Sequence, residues 1–227
     1  MASPSKGNSM KYVTVIPCVN RIDLLREAID SIKSFWGTLV LIDNTGNKEL
    51  TTQNFGKDFP IVEPIVPLTF SQTMNAVMRI AFEKACDFYI TMHNDALADG
   101  GTPEQLLALI QQLFEIKRNW GVVFTHYDAL CAFNTEAVRT VGQWDTILPQ
   151  YFADNDYYRR VRMKGYETVD SGLTVFHQNE GSNTIKADLL LRISNSITFN
   201  LYKQYYAWKW GGEPGREQYT VPFNIKV

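Results

Sequence analysis

Apolar runs that stop abruptly at a proline or a polar side chain recur along the first half of the chain. They cover 12–16, 38–42 and 88–92. Runs of this length are typical of buried strands in a parallel sheet. Over 22–32, apolar residues recur at spacings of three and four, which predicts a helix capped by Asn20. The strand, helix, strand order predicts an α/β fold with a mostly parallel central sheet flanked by helices.

The rest of the chain continues this alternation. Thr102, as N-cap, followed by Pro103 and Gln105, is a strong helix start. Acidic residues near 154 favour a helix N-terminus, and Gly165 favours its end. The predicted helices are 74–85, 102–114, 134–141, 154–165 and 188–210, and the further predicted strands are 61–66, 122–124, 130–133 and 173–177.

Composition narrows the class of protein. The 227 residues suffice for one core, so we expect a single domain over 11–227 after a leader at 1–10 without a fold pattern. The net charge of -2 gives no broad basic field and does not indicate sequence-independent nucleic-acid binding. Cys18, Cys86 and Cys131 lack metal-ligand spacing, which predicts buried thiols in a reduced compartment. No apolar run approaches the ~18 residues of a membrane span, so we expect a cytoplasmic protein.

Polar residues at the ends of predicted strands and at a predicted helix start are candidates for chemistry. They are Asp43, the segment 93–95, Asp154 with Asp156, and His177. One such residue alone is usually a cap or a solvated loop residue. Ligands of open α/β sheets bind beyond the carboxyl ends of the strands, where these side chains are expected to meet. Their joint appearance favours a site.

The residue types suggest a metal and a base. Asp95 suits a hard cation such as Mg²⁺ or Mn²⁺, and an imidazole from His177 would shift the preference towards Mn²⁺. His177 bonded to a neighbouring loop is the alternative. Asp154 is a candidate general base, with Asp156 orienting a substrate hydroxyl or a cation such as Arg159. The alternative is that both acids only complement the helix dipole.

The order and spacing of five segments resemble the GT-A glycosyltransferases of family 2. The tail at 209–215 and 222–223 is similar to a small, phage-associated branch of that family. The resemblance implies a GT-A fold over 11–227. The five segments are 13–17, 41–44, 92–95, 133–145 and 151–160.

The resemblance also implies a division of the chain and its surroundings. A nucleotide-binding half covers 11–100, an acceptor and catalytic half covers 101–185, and a C-terminal helical tail covers 186–227. A viral member would act in the host cytoplasm. The aromatic tail could line an acceptor site, pack on the core or support a homodimer.

The resemblance assigns a part to each candidate residue. Asp43 would contact the nucleotide base, Asp154 would be the catalytic base with Asp156 beside it, and Asp95 and His177 would hold Mn²⁺ or Mg²⁺. The other donor-binding candidates are Pro17, Asn20, Asn44, Asn75, His93 and Asn94. Two departures from the family pattern are His93, in place of the first acid of the DxD-type motif, and Ala153, in place of an acid before the base.

The implied activity is transfer of a hexosyl or pentosyl group from a nucleotide-diphosphate sugar, with a UDP-sugar favoured. The enzyme would be metal-dependent and inverting. A hydroxyl of a glycan, a protein or a modified base would be the acceptor. Two alternatives stay open: a catalytically silent GT-A-like protein that binds a carbohydrate or a partner, and a nucleotidyltransferase.

Overall fold

A mixed seven-stranded sheet forms the centre of the protein. The structure is a computed structural model, and it describes residues 10–125, 128–178 and 181–225. The strands of these residues are β1 (Tyr12–Cys18), β2 (Leu39–Asp43), β3 (Ile61–Val62), β4 (Phe88–Met92), β5 (Ala96–Ala98), β6 (Trp120–Phe124), β7 (Leu130–Asn134), β8 (Glu167–Asp170) and β9 (Val175–His177).

The strand order of the large sheet is β3-β2-β1-β4-β7-β6-β8. Strands β1 to β4 run parallel, and β7 is antiparallel to both of its neighbours, β4 and β6. The carboxyl ends of β1, β2 and β4 therefore meet at one edge. A separate antiparallel ribbon of β5 and β9 pairs Ala96 with His177 beside that edge.

Helices cover both faces of the sheet, which explains why its strands read as continuous apolar runs. One core, which includes Leu25 and Leu106, lies between the sheet and two helices, α1 and α4. The opposite core includes Val77, Tyr157 and Trp210. The helices are α1 (Ile22–Ser31), α2 (Glu49–Thr52), α3 (Phe70–Glu83), α4 (Thr102–Glu115), α5 (Thr135–Val141), α6 (Ala153–Met163), α7 (Asn183–Ala187) and α8 (Leu189–Trp210), with 3-10 turns at Lys33–Thr38, Phe55–Lys57 and Pro222–Asn224.

Two predicted helix caps are wrong. The residue before α1 is Arg21, in the left-handed region with φ 57°, and it makes no side-chain cap. Asn20 instead donates to the carbonyl of Thr184. Thr102 is the first helical residue of α4, not its cap, and its hydroxyl donates to the Thr174 carbonyl. In both places, the side chain that the local pattern predicts as a helix cap forms a hydrogen bond with a distant segment of the chain instead.

Two predicted strands are shorter than expected. The strand predicted at 61–66 is confined to Ile61–Val62, because Pro64 and Pro67 lack the N–H that a ladder requires. The strand predicted at 173–177 begins at Val175 and belongs to the ribbon, not to the large sheet. The three cysteines are buried and free, as predicted.

The C-terminal helix α8 has a buried end and an exposed beginning. Tyr206 and Trp210 are fully buried, so core packing accounts for these two aromatic residues. Near the beginning, Leu190 and Ile197 are 76% and 72% exposed. Within the described ranges, no helix is both long and apolar enough to cross a bilayer.

Candidate active site

Three potential metal donors converge where β4 ends. After Met92 the chain turns, with His93 N–H donating to the Ala129 carbonyl at 2.8 Å. The ribbon then brings in His177, whose Nε2 lies 3.1 Å from His93 Nδ1 and 3.2 Å from Asp95 Oδ1. The register of β5 with β9 thus joins residues more than 80 positions apart.

The spacing of these donors fits a divalent ion. Suitable donor atoms of His93, Asp95 and His177 all lie within 4.8 Å of one another. An octahedral ion with bonds of about 2.1 Å holds neighbouring donors about 3 Å apart, close to the observed 3.1 and 3.2 Å. Two imidazoles and one carboxylate suit Mn²⁺ better than Mg²⁺. His93, predicted among the residues that bind the nucleotide-sugar donor, is thereby a third candidate ligand.

Hydrogen bonds fix the orientation of Asp95. Its Oδ2 accepts from the Asn183 backbone at 3.2 Å and from the Asn183 amide at 2.9 Å. Burial alone would raise the pKa of Asp95, but hydrogen bonds from His177 and Asn183 outweigh it and hold that pKa well below its usual range. The hydrogen bond to Asp95 in turn raises the pKa of His177 against the effect of burial. Asp95 is therefore ionised at neutral pH.

Close packing limits where the His177 ring can lie. Gly181 has φ 73°, and a Cβ added there would sit 2.9 Å from His177 Nδ1. Glycine allows both the backbone conformation and the close approach of the chain to the ring. The ring is thereby confined with its Nε2 towards Asp95.

Two predicted donor-binding asparagines brace loops at this edge. The Asn94 amide donates to the Asn20 carbonyl at 2.8 Å, and the Asn20 amide donates to the Thr184 carbonyl at 3.0 Å. Pro17 is half-buried in β1, in register with Ile42 of β2. These contacts tie the β1 and β4 ends to α7, and donor binding by the three residues stays a prediction.

Asp43, predicted to contact the nucleotide base, forms hydrogen bonds with the loop that follows β2. Asp43 Oδ1 accepts from Thr45 N–H at 3.0 Å, and Oδ2 accepts from Leu50 N–H at 3.0 Å. Asn44 holds the start of α3 through its amide, which donates to Thr73 Oγ1 at 2.9 Å. A base contact by Asp43 stays a prediction, and it would use the remaining lone pairs of that carboxylate.

Asn75 lies on α3, which packs on the same face of the sheet as α6, and it has a supporting role there. Its amide donates to the Trp144 carbonyl at 3.1 Å, and its carbonyl accepts from Trp144 N–H at 2.8 Å. Both polar ends of this side chain are thus occupied within the protein. The structure gives Asn75 the part of a clamp between α3 and the segment before α6, and its predicted donor contact stays untested.

Asp154 lies in the first turn of α6 and faces a cleft of about 340 Å³. Burial and the repulsion from Asp128 raise its pKa from 3.8 to about 6, against the opposing effect of nearby backbone N–H groups. Asp128 accepts a hydrogen bond from the Tyr158 hydroxyl at 3.2 Å. The residues that line the cleft are Phe124, Thr125, Asp128, Asp154, Tyr158 and Asp170.

Asp128 links the two groups of residues electrostatically. Its charge raises the pKa of Asp154 and also contributes to the raised pKa of His177. Asp128 lines the same cleft as Asp154, and the carbonyl of the next residue, Ala129, accepts from His93 N–H at 2.8 Å, so the cleft adjoins the metal-donor cluster. Sequence reasoning missed Asp128, which lies in a turn without a strand-end pattern, and Asn183, which begins the short helix α7.

Asp156 has different partners from those predicted. Its carboxylate is fully buried, accepts from Arg160 Nε and Trp210 Nε1 at 2.9 Å each, and lies 2.6 Å from Lys209 Nζ. Arg159, the expected partner, pairs instead with Glu217. Residues two apart point to different sides of a helix, so Asp156 faces the core while Asp154 faces the cleft.

Comparisons of the sequence give no relatives. No protein-family model matches it, and no curated protein matches it. The structure, in contrast, is similar to solved structures, with TM-scores of 0.55 for S. aureus TarS, 0.59 for GalNAc-T7 with UDP, GalNAc and Mn²⁺, and 0.55 for M. tuberculosis glucosyl-3-phosphoglycerate synthase with Mn²⁺ and UDP-glucose.

Sequence identity to these proteins is low, at 9%, 11% and 13% in the same order. The matches cover 82%, 88% and 84% of this chain, and 39%, 51% and 79% of the respective solved chains. The chain therefore spans about half or less of the first two proteins. At such identities the similarity concerns the fold, and it confirms the prediction of a GT-A fold with a mostly parallel central sheet flanked by helices.

Proposed function

We propose that the protein is a metal-dependent, inverting glycosyltransferase that uses a nucleotide-diphosphate sugar. The observation that carries this proposal is the meeting of His93, Asp95 and His177 at one sheet edge, with Asp154 in an adjoining cleft. Two proteins of the same fold were crystallised with Mn²⁺ and UDP or UDP-glucose, which supports a UDP-sugar as donor.

The three-donor cluster would hold the metal, for which we propose Mn²⁺ rather than Mg²⁺. When bound, the ion would neutralise negative charge on the leaving diphosphate. Asp95 supplies the anionic ligand, and Asn183 keeps that carboxylate in place. The two imidazoles add neutral donors, so the ion keeps most of its positive charge for the diphosphate.

Asp154 would accept the proton of the acceptor hydroxyl. The acceptor oxygen forms a bond to the anomeric carbon as the bond from that carbon to the diphosphate oxygen breaks, with inversion. A pKa of about 6 leaves this carboxylate mostly ionised at pH 7 and makes it a stronger base than an ordinary aspartate. The cleft beside it would receive the acceptor.

Incubation with Mn²⁺ and a panel of nucleotide sugars tests the proposal. We expect release of a nucleoside diphosphate and loss of that release in Asp154→Asn, with nucleotide binding retained. The exposed Glu213→Gln is a matched control that should keep full turnover. No transfer, hydrolysis or nucleotide-induced thermal shift would favour a silent binding protein, and pyrophosphate release from a triphosphate would favour a nucleotidyltransferase.

The finer features of the function are proposals of the same kind. They comprise a hexosyl or pentosyl donor, a glycan, protein or modified-base acceptor, and action in the cytoplasm, including that of a host cell if the chain is phage-derived. The exposed apolar residues at the beginning of α8, such as Leu190 and Ile197, support a homodimer. Sedimentation measurements at several concentrations would test self-association.

A further inference from the structure

A group of buried ion pairs lies behind the first turn of α6. Lys209 Nζ sits 2.6 Å from both Asp145 Oδ2 and Asp156 Oδ1, and Arg160 Nε donates to Asp156 Oδ2 at 2.9 Å. The Asp156 side chain is only 1% exposed and that of Lys209 only 8% exposed. These contacts connect the end of α8 to the helix turn that carries Asp154.

A second pairing continues the group along the tail. Arg159 lies 3.5 Å from Glu217 and also donates to the Tyr219 carbonyl at 2.5 Å. The Tyr206 hydroxyl donates to Glu217 at 2.5 Å. The three cations Arg159, Arg160 and Lys209 are therefore balanced by three carboxylates, those of Asp145, Asp156 and Glu217.

The surroundings of Asp154 contrast with this balance. The titratable side chains that line the cleft with it are Asp128 from the loop after β6, Tyr158 from α6 and Asp170 from the end of β8. Within the described ranges, no lysine or arginine forms an ion pair with Asp154. The cations Arg159, Arg160 and Lys209 are held by other acids.

We propose that Asp156 and Glu217 are positioning residues that retain the cations of α6 and α8, so that Asp154 remains an unpaired carboxylate able to accept a proton. This inference rests on the proposed role of Asp154 as base. A positive charge left uncompensated on Arg159, Arg160 or Lys209 would stabilise the ionised form of Asp154 through the protein and weaken it as a base. The conversion of either acid to its amide keeps the size and one acceptor oxygen but releases one positive charge.

The pH dependence of kcat/KM distinguishes this electrostatic role from simple support. In Asp156→Asn and in Glu217→Gln, we expect the midpoint of the acid limb to fall by roughly 0.5–1 pH units. Lys209→Met removes a cation and should move the midpoint upward. Glu213→Gln, in an exposed pair of the same tail with Lys203, should leave it unchanged. If the substitutions only loosened α6, the rate would fall, but the midpoint would not move down in the two acid variants and up in Lys209→Met.

A second measurement does not require turnover. Asp154→Asn is introduced into the unmodified protein and into each of these variants, and its effect on the free energy of unfolding is measured against pH. This pH dependence reports the titration of Asp154 in the folded protein. Should Asp156→Asn fail to fold, Glu217→Gln decides the outcome. An unchanged titration midpoint in these backgrounds overturns the inference, whereas absence of transfer by the unmodified protein overturns only the proposed function.

Discussion

Replacement of Asp154 by asparagine should abolish transfer and at the same time stabilise the fold at neutral pH. The pKa of Asp154 rises from 3.8 to about 6 on folding. Because the folded state holds this proton more tightly, the contribution favours folding below pH 3.8 and is lost as the pH rises through 6. An asparagine carries no charge and avoids the loss.

The magnitude follows from the size of the shift. About two pKa units correspond to about 3 kcal/mol at pH 8, of which roughly half develops between pH 5 and pH 8. For a chain of this size, 3 kcal/mol corresponds to an increase in Tm of about 6–12 °C. The gain would be a direct case of stability given up for activity.

Chemical denaturation at pH 5, 6, 7 and 8, without metal or nucleotide, measures the effect. Asp170→Asn is a matched control, because Asp170 lines the same cleft but is exposed. Asp170 Oδ1 accepts a hydrogen bond from Gly172 N–H, and the side-chain oxygen of asparagine can accept the same bond. We expect a stability difference that grows with pH for Asp154→Asn and not for the control. Equal stability of Asp154→Asn and the unmodified protein at pH 8 would refute the reasoning.

Three further substitutions test other parts of the site. His93→Asp replaces a nitrogen donor by oxygen and should shift metal preference from Mn²⁺ towards Mg²⁺ in calorimetric titrations; unchanged preference would remove His93 as a ligand. Gly181→Ala places a methyl group against His177 and should weaken Mn²⁺ binding, whereas the open and exposed Gly100→Ala should not. Asn75→Ala leaves two Trp144 backbone groups without their partner and should lower the free energy of unfolding by about 2–4 kcal/mol; a loss below 1 kcal/mol would contradict the clamp.

The strands that end at the metal-donor cluster could be predicted from sequence, because strands buried on both faces of a sheet have continuous apolar runs. The run at 88–92 ends where the structure ends β4, and His93 follows at the sheet edge. The caps of α1 and α4 could not be predicted, because Asn20 and Thr102 bond to segments more than 70 residues away. Local patterns carry no information about such partners.

The candidate site likewise contains features that local sequence predicts and features that depend on tertiary packing. The predicted helix start favours Asp154 as the base and Asp156 as an orienting residue, and the role of Asp154 as base stays a prediction. Only the packing of α8 on α6 separates them, since it gives Asp156 buried partners and leaves Asp154 in the cleft. Asp128 influences both Asp154 and His177, yet it occupies an irregular loop that periodicity does not mark.

The short ribbon of β5 and β9 makes the length of one segment as important as its composition. Only three residue pairs set its register, and one of them places His177 opposite Ala96. Side chains alternate across a strand, so a shift of one position would turn His177 to the opposite side. Substitutions at the exposed Phe176 should therefore be tolerated, whereas deletion of a single residue from 173–176 should abolish metal binding with every ligand still present.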